Sequence, residues 1–86
     1  MYRKIDPPIR LSGFEACEMF PDECVLVRAD DRNPCNSGMV TVLFVGDDFY
    51  ELFSLIKFFD DSNNCGVLEG ANLKRRISLG GVVVET

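Results

Sequence analysis

The sequence predicts a small α+β domain in which a largely antiparallel sheet of about four strands packs with two helices. Three observations lead to that class. Short β-branched runs bounded by turn residues indicate strands, and two capping boxes mark helix starts. Apolar spacing also changes from strand-like to helical along the chain. The 86 residues suffice for one core, so we expect residues 1–86 to form a single domain.

The chain is expected to begin with an extended segment and a short helix. Two consecutive prolines bar a helix near the N-terminus, so residues 1–11 are predicted to be extended. Ser12 and Glu15 have the spacing of a capping box and indicate a helix start. Pro21 is expected to end that helix.

Two strands are predicted next. Residues 24–29 are rich in β-branched side chains and are followed by a long polar loop over residues 30–38. Residues 39–45 are apolar at both alternating sets of positions. A strand that is apolar on both faces is buried on both faces, so we place it in the interior of the sheet.

The strongest helix signal covers residues 49–59. Asp48 suits the N-cap position, and Glu51 repeats the capping-box spacing. Five apolar residues at helical spacing form its expected inner side: Phe49, Leu52, Phe53, Ile56 and Phe59.

The C-terminal third is expected to contain turn residues over 60–66 and a strand-like stretch over 73–84. Gly80 and Gly81 would form either a tight hairpin or a bulge in that stretch. The predicted order is therefore helix, strand, strand, helix, strand, strand, which is typical of an α+β domain.

The second helix has more apolar surface than one sheet face can cover. Tyr50, Leu55 and Phe58 lie outside its expected inner side. Either the first helix and the loops cover these side chains, or they form an interface with a second copy or another protein. The leading hypothesis is a non-catalytic protein-interaction module that associates with itself or binds and inhibits a partner.

Paired acids suggest an alternative function. The chain has a net charge of −5, and three Asp-Asp pairs fall in predicted loops or at helix ends. On one face they could imitate a row of phosphates and block a basic, nucleic-acid-binding protein. This general profile resembles that of small acidic phage-encoded inhibitors of host defence, although no family motif is present. The acids that we assign to partner binding are Asp30, Asp31, Asp47 and Asp48.

Catalysis has little support in the sequence. There is no histidine, which excludes histidine-based triads and metal sites. A second alternative is a divalent-metal protein or enzyme that uses Asp47, Asp48 and Asp61, but N-capping explains the adjacent acids. We therefore expect no enzyme activity and no cofactor. The basic cluster at residues 74–76 is too small for direct nucleic-acid binding by an acidic chain.

Four cysteines and the absence of a leader sequence indicate a reducing compartment. No pair has C-x-x-C spacing, so Cys17, Cys24, Cys35 and Cys65 are interpreted as small apolar residues plus one or two loop thiols. Cys35 and Cys65, both in predicted loops, are the expected reactive thiols. No apolar run is long enough for a secretory signal or a membrane span, so we expect a cytoplasmic location.

Overall fold

A computed structural model describes residues 1–30, 38–60, 62–70, 76–79 and 82–85. Within these ranges, six strands form one antiparallel sheet in the spatial order β1-β3-β2-β4-β5-β6. The strands are β1 (Tyr2–Ser12), β2 (Cys24–Ala29), β3 (Met39–Gly46), β4 (Cys65–Glu69), β5 (Arg76–Leu79) and β6 (Val82–Glu85). The helices are α1 (Gly13–Met19) and α2 (Phe49–Leu55). The predicted α+β class is confirmed.

Two short 3₁₀ turns complete the described elements. The first, Ile56–Phe58, continues α2 directly, and the second, Ser62–Asn64, leads into β4. The sequence predicted one helix over residues 49–59. The last turn is instead tightened to 3₁₀ geometry, as often happens at helix ends.

The two helices pack on opposite faces of the sheet. Along β2, Val25 and Val27 belong to a cluster that includes Ala16 of α1, whereas Cys24 and Leu26 belong to one that includes α2. The α1-side cluster comprises Leu11, Ala16, Val25, Val27, Ala29, Val40, Val42, Val45 and Leu68. The α2-side cluster comprises Cys24, Leu26, Phe49, Leu52, Ile56, Cys65 and Val67. The alternation of a strand sends successive side chains to the two layers.

Strand β3 lies inside the sheet, as predicted from its two apolar faces. It pairs with β1 on one side and β2 on the other. In the pairing of β2 with β3, Leu26 lies opposite Phe44, and the next residue, Val27, lies opposite Val42. Leu43 has no opposite residue on β2 and is therefore the extra residue of a β-bulge. This step places Val42 and Val45 in the same cluster although they are three residues apart.

Both helix starts follow from local capping chemistry. Ser12 accepts a hydrogen bond from the Glu15 amide, and the Glu15 carboxylate accepts one from the Ser12 amide, each at 3.1 Å. The Asp48 carboxylate accepts from the amides of Tyr50 and Glu51 at 2.9 and 3.3 Å. These contacts satisfy amides that have no partner within the helix.

The N-terminal segment, predicted to be extended, is extended and is in addition a strand of the sheet. It is the edge strand β1, paired with β3 at both of its ends. The register shifts between Lys4 and Ile9, and Pro7 and Pro8 lie within that interval. Proline cannot donate to a sheet ladder, so it is tolerated at an irregular edge strand and not in the sheet interior.

The turn predicted over residues 60–66 is too long. Cys65 and Gly66 begin β4, which pairs with β2 and is buried. The interpretation of Cys65 as an accessible loop thiol is therefore wrong, because this side chain lies in the α2-side cluster. Cys24 is also buried there, and the thiol of half-buried Cys17 donates to the Glu69 carbonyl at 3.3 Å. Cys35 lies outside the described residues.

The end of the chain supports the hairpin alternative. Strands β5 and β6 are antiparallel, with Leu79 opposite Val82. Gly80 and Gly81, between these strands, lie outside the described residues, as do Lys74 and Arg75 of the basic cluster.

Of the helices in the described part of the chain, none is long and apolar enough to cross a membrane.

Candidate interaction surface

Helix α2 is held against the sheet by its inner side. Phe49, Leu52 and Ile56 are buried, and Phe53 and Phe59 pack at the edge of the same cluster. The rings of Phe49 and Phe53 stack with centroids 6.1 Å apart. This inner side matches the sequence prediction, and its burial fixes which side of α2 faces outward.

Three exposed side chains form a row along the outer side of α2 and its 3₁₀ continuation. Tyr50 is 59% exposed, Phe58 is 73% exposed, and Ser54 between them is also exposed. Tyr50 and Ser54 lie about one turn apart on α2. Phe58 follows Ser54 by four residues but lies in the 3₁₀ turn, which has three residues per turn, so its side chain is rotated somewhat from the line through Tyr50 and Ser54. We call Tyr50, Ser54 and Phe58 the outer row.

Nothing from α1 covers the outer row. Because α1 packs on the other face of the sheet, the alternative in which the first helix covers these side chains is wrong. Leu55, the third apolar residue predicted for this surface, is half-buried and packs against the α2-side cluster. Leu55 therefore borders the outer row without belonging to it.

The two ends of the outer row carry different charges. The carboxylates of Asp47, Asp48 and Glu51 lie near the start of α2. At the other end, the Lys57 ammonium lies 5.2 Å from the centroid of the Phe58 ring, a cation–π distance. The surface is thus acidic at the Tyr50 end, whereas a cation lies beside Phe58.

The N-terminal amine is paired with the acidic end. The Met1 amine contacts Asp47 Oδ1 at 2.8 Å and Glu51 Oε1 at 3.7 Å. The hydrogen bond to Asp47 raises the pKa of the amine above its ordinary 8.0. The same bond lowers the pKa of Asp47 below its ordinary 3.8. Both groups are fully exposed, so water screens the attraction between them.

Among the described acids assigned to partner binding, Asp30 lies at the opposite end of β2 from Asp47 and Asp48. Asp30 follows β2 at the end where Ala29 pairs with Val40, whereas Asp47 follows β3 at the end where Gly46 pairs with Cys24. The six residues of β2 separate these ends by roughly 20 Å.

The described acids also have partners within the chain. Asp30 forms an ion pair with Arg10, Asp47 binds the Met1 amine, and Asp48 caps α2. Asp31 and Asp61 lie outside the described residues. Within the described ranges, no three side chains of Asp, Glu, Cys or His are grouped so that they could hold a metal ion.

The sequence analysis missed two features of this surface. Tyr2 is 44% exposed and its ring meets Phe44 edge-on at 5.7 Å, but the segment that carries it was not expected to pair with the sheet. Ser54, which lies between the two aromatic residues in the sequence, was not among the residues predicted for this surface. The regular spacing of Tyr50, Ser54 and Phe58 was the signal that could have identified the outer row.

Comparisons with known proteins add no relative. No protein-family model matches the chain, and neither a curated protein nor a solved structure matches it. The function must therefore be inferred from the residues of this chain.

Proposed function

We propose that this protein is a non-catalytic interaction module that binds a protein through the outer row. The observation that carries the proposal is the exposure of two aromatic side chains, Tyr50 and Phe58, on one side of a helix whose other side is buried. Aromatic residues are enriched at protein interfaces because each buries a large area at a small cost in side-chain entropy.

The rigid support of the outer row favours recognition of a folded partner. The inner side of α2 is fixed by Leu52 and Ile56, which are buried, and its start is fixed by the Asp48 cap. A side chain that is already positioned loses less freedom on binding. Phe58, the more exposed aromatic residue, is expected to contribute most of the binding free energy.

The proposal is tested by charge insertion on the two sides of the sheet. The chain is immobilised through its C-terminus and used to capture proteins from a lysate of its source cells. The Tyr50→Lys/Phe58→Lys variant should lose the proteins that the wild type captures, because each lysine removes apolar contact area and would bury a charge. Capture is quantified by mass spectrometry against the wild type.

A matched variant carries the same charge change on the opposite face. Phe14→Lys/Met19→Lys replaces two exposed side chains of α1 and should retain the captured proteins. Circular dichroism establishes that both variants are folded. An unchanged capture profile for the Tyr50→Lys/Phe58→Lys variant would contradict the proposal.

A further inference from the structure

We propose that the outer row binds a second copy of itself, with the two α2 helices antiparallel and crossing at Ser54. This inference rests on the proposed function and names its partner. In a two-fold symmetric interface the same surface is contributed by both copies, so every contact is made twice. The spacing of the outer row meets that requirement.

The aromatic residues lie at equal distances from Ser54. Tyr50 precedes Ser54 by four residues and Phe58 follows it by four. An antiparallel pair centred on Ser54 brings Tyr50 of each copy level with Phe58 of the other. Serine at the crossing point is small and allows the two backbones to approach, while the larger aromatic residues pack on either side.

The charges next to the row follow the same symmetry. Glu51 precedes Ser54 by three residues and Lys57 follows it by three. Antiparallel pairing therefore brings a carboxylate of one copy level with an ammonium of the other, and this happens twice. Parallel pairing would bring Glu51 level with Glu51, which is unfavourable. Glu51 Oε1 also lies 3.7 Å from the exposed Met1 amine, a contact that water screens. The Asp48 carboxylate is already engaged by two amides at the start of α2.

Two other exposed surfaces in the described part of the chain lack this self-complementarity. On α1, the exposed Phe14 and Met19 have Glu15 and Glu18 beside them, so two copies would bring acids together. The edge strand β1 contains two adjacent prolines, which cannot donate hydrogen bonds to another strand. A second copy therefore fits the outer row better than it fits α1 or β1.

The size of the outer surface sets the expected affinity. The seven residues of α2 and the three of the following turn make a rod about 15 Å long. A contact of that length belongs to the small, transient class of interfaces. We expect the dimer to form reversibly between micromolar and millimolar concentrations.

Cysteine cross-linking tests the crossing point. In Ser54→Cys the two new thiols meet at the two-fold axis, so oxidation should yield a disulfide-linked dimer at least about ten-fold faster than in the wild type, whose native thiols set the background. Tyr50→Cys alone should remain at background, because its two thiols lie about 12 Å apart along the helix pair. A mixture of Tyr50→Cys and Phe58→Cys chains should cross-link above either variant alone.

Two results would overturn the inference. One is a cross-linking rate of Ser54→Cys equal to that of the wild type at millimolar concentration. The other is cross-linking of Tyr50→Cys as fast as Ser54→Cys, which indicates parallel or unspecific contact. Sedimentation velocity without oxidant provides an independent readout, in which the Phe58→Lys variant should dimerise at least about ten-fold more weakly than the wild type.

The two proposals fail in different ways. If the wild type stays monomeric and the Tyr50→Lys/Phe58→Lys variant loses the captured proteins, the second-copy inference is wrong and the proposed interaction function stands. A chain that dimerises through the outer row but captures no other protein supports both. If the wild type does not dimerise and the Tyr50→Lys/Phe58→Lys variant captures the same proteins as the wild type, both proposals are wrong.

Discussion

At the scale of single residues, Gly70 marks the closest approach between two backbone segments. Its amide donates to the Glu23 carbonyl at 3.0 Å. A Cβ at this position would overlap the Pro21 carbonyl group and lie 2.7 Å from the carbonyl oxygen of Phe20. A side chain is therefore excluded unless the turn after α1 moves away from the end of β4.

Gly70→Ala should lower the free energy of unfolding by about 1–3 kcal/mol, because the added methyl group meets rigid backbone atoms. Urea unfolding measures the difference. Gly46→Ala is the matched control, since a Cβ there would lie 3.0 Å from the Tyr2 Cβ and 3.1 Å from the Met1 carbonyl oxygen, which is less close than the contacts at Gly70. A larger loss for Gly46→Ala than for Gly70→Ala would contradict this packing.

The ion pair between the Met1 amine and Asp47 predicts a pH window. The carboxylate has a lowered pKa, so its contribution is present above about pH 3.8 and is lost as the pH falls through the folded value. The amine has a raised pKa, so its contribution is complete below about pH 8.0 and is lost as the pH rises through the folded value.

The stability difference between the wild type and Asp47→Asn should therefore be greatest between these two limits and shrink outside them. Thermal unfolding across the pH range measures it, on protein with a native N-terminus and any tag at the C-terminus. Asp60→Asn removes the same charge from another exposed site. A difference for Asp47→Asn that does not vary with pH would show that the pair is absent.

At the scale of elements, the inner side of α2 stabilises the fold, whereas the outer row is proposed to bind a partner. Its inner side contains fully buried Leu52, whereas Phe58 lies outward. Leu52→Ala should cost about 2–5 kcal/mol of unfolding free energy because it leaves a cavity under the helix. Phe58→Ala should change stability by no more than about 0.5 kcal/mol. Chemical unfolding of both variants checks the contrast, and equal losses would mean that Phe58 is part of the core.

The elements that the sequence predicted well are those with local signals. Ser12 and Asp48 cap their own helices within three residues, and β2 and β3 are rich in β-branched and other apolar residues. Strand β4 was not predicted: residues 60–66 were interpreted as turn residues because Cys65 and Gly66 follow turn-forming asparagines, and no element was assigned to residues 67–72. Its extended conformation depends on pairing with β2, a partner about forty residues away, and such pairing has no local signature.

At the scale of the whole molecule, α1 and α2 lie on opposite faces of strands β2, β3 and β4. The described end strands are β1 and β6. β1 carries Arg3, Lys4 and Arg10 in addition to its prolines. Charge and proline on an edge strand oppose edge-to-edge association. A second copy is therefore not expected to pair with the β1 edge.

The candidate surface was predictable in part. The excess of apolar residues in α2 identified Tyr50 and Phe58, because a helix on a single sheet cannot bury its whole circumference. Two other facts depend on the assembled fold: α1 packs on the opposite face, and Asp30 and Asp47 lie at opposite ends of β2. Neither could be read from spacing along the chain.

The most direct test of the central claim, that the outer row meets itself, is a dilution series of the ¹⁵N-labelled wild type followed by ¹H–¹⁵N correlation spectra. Between micromolar and millimolar concentration, the amide shifts of Tyr50, Ser54 and Phe58 should change along one saturation curve, and the Phe58→Lys variant should not show the change. Shifts that are independent of concentration, or that move on α1 or β1 instead, would contradict the claim.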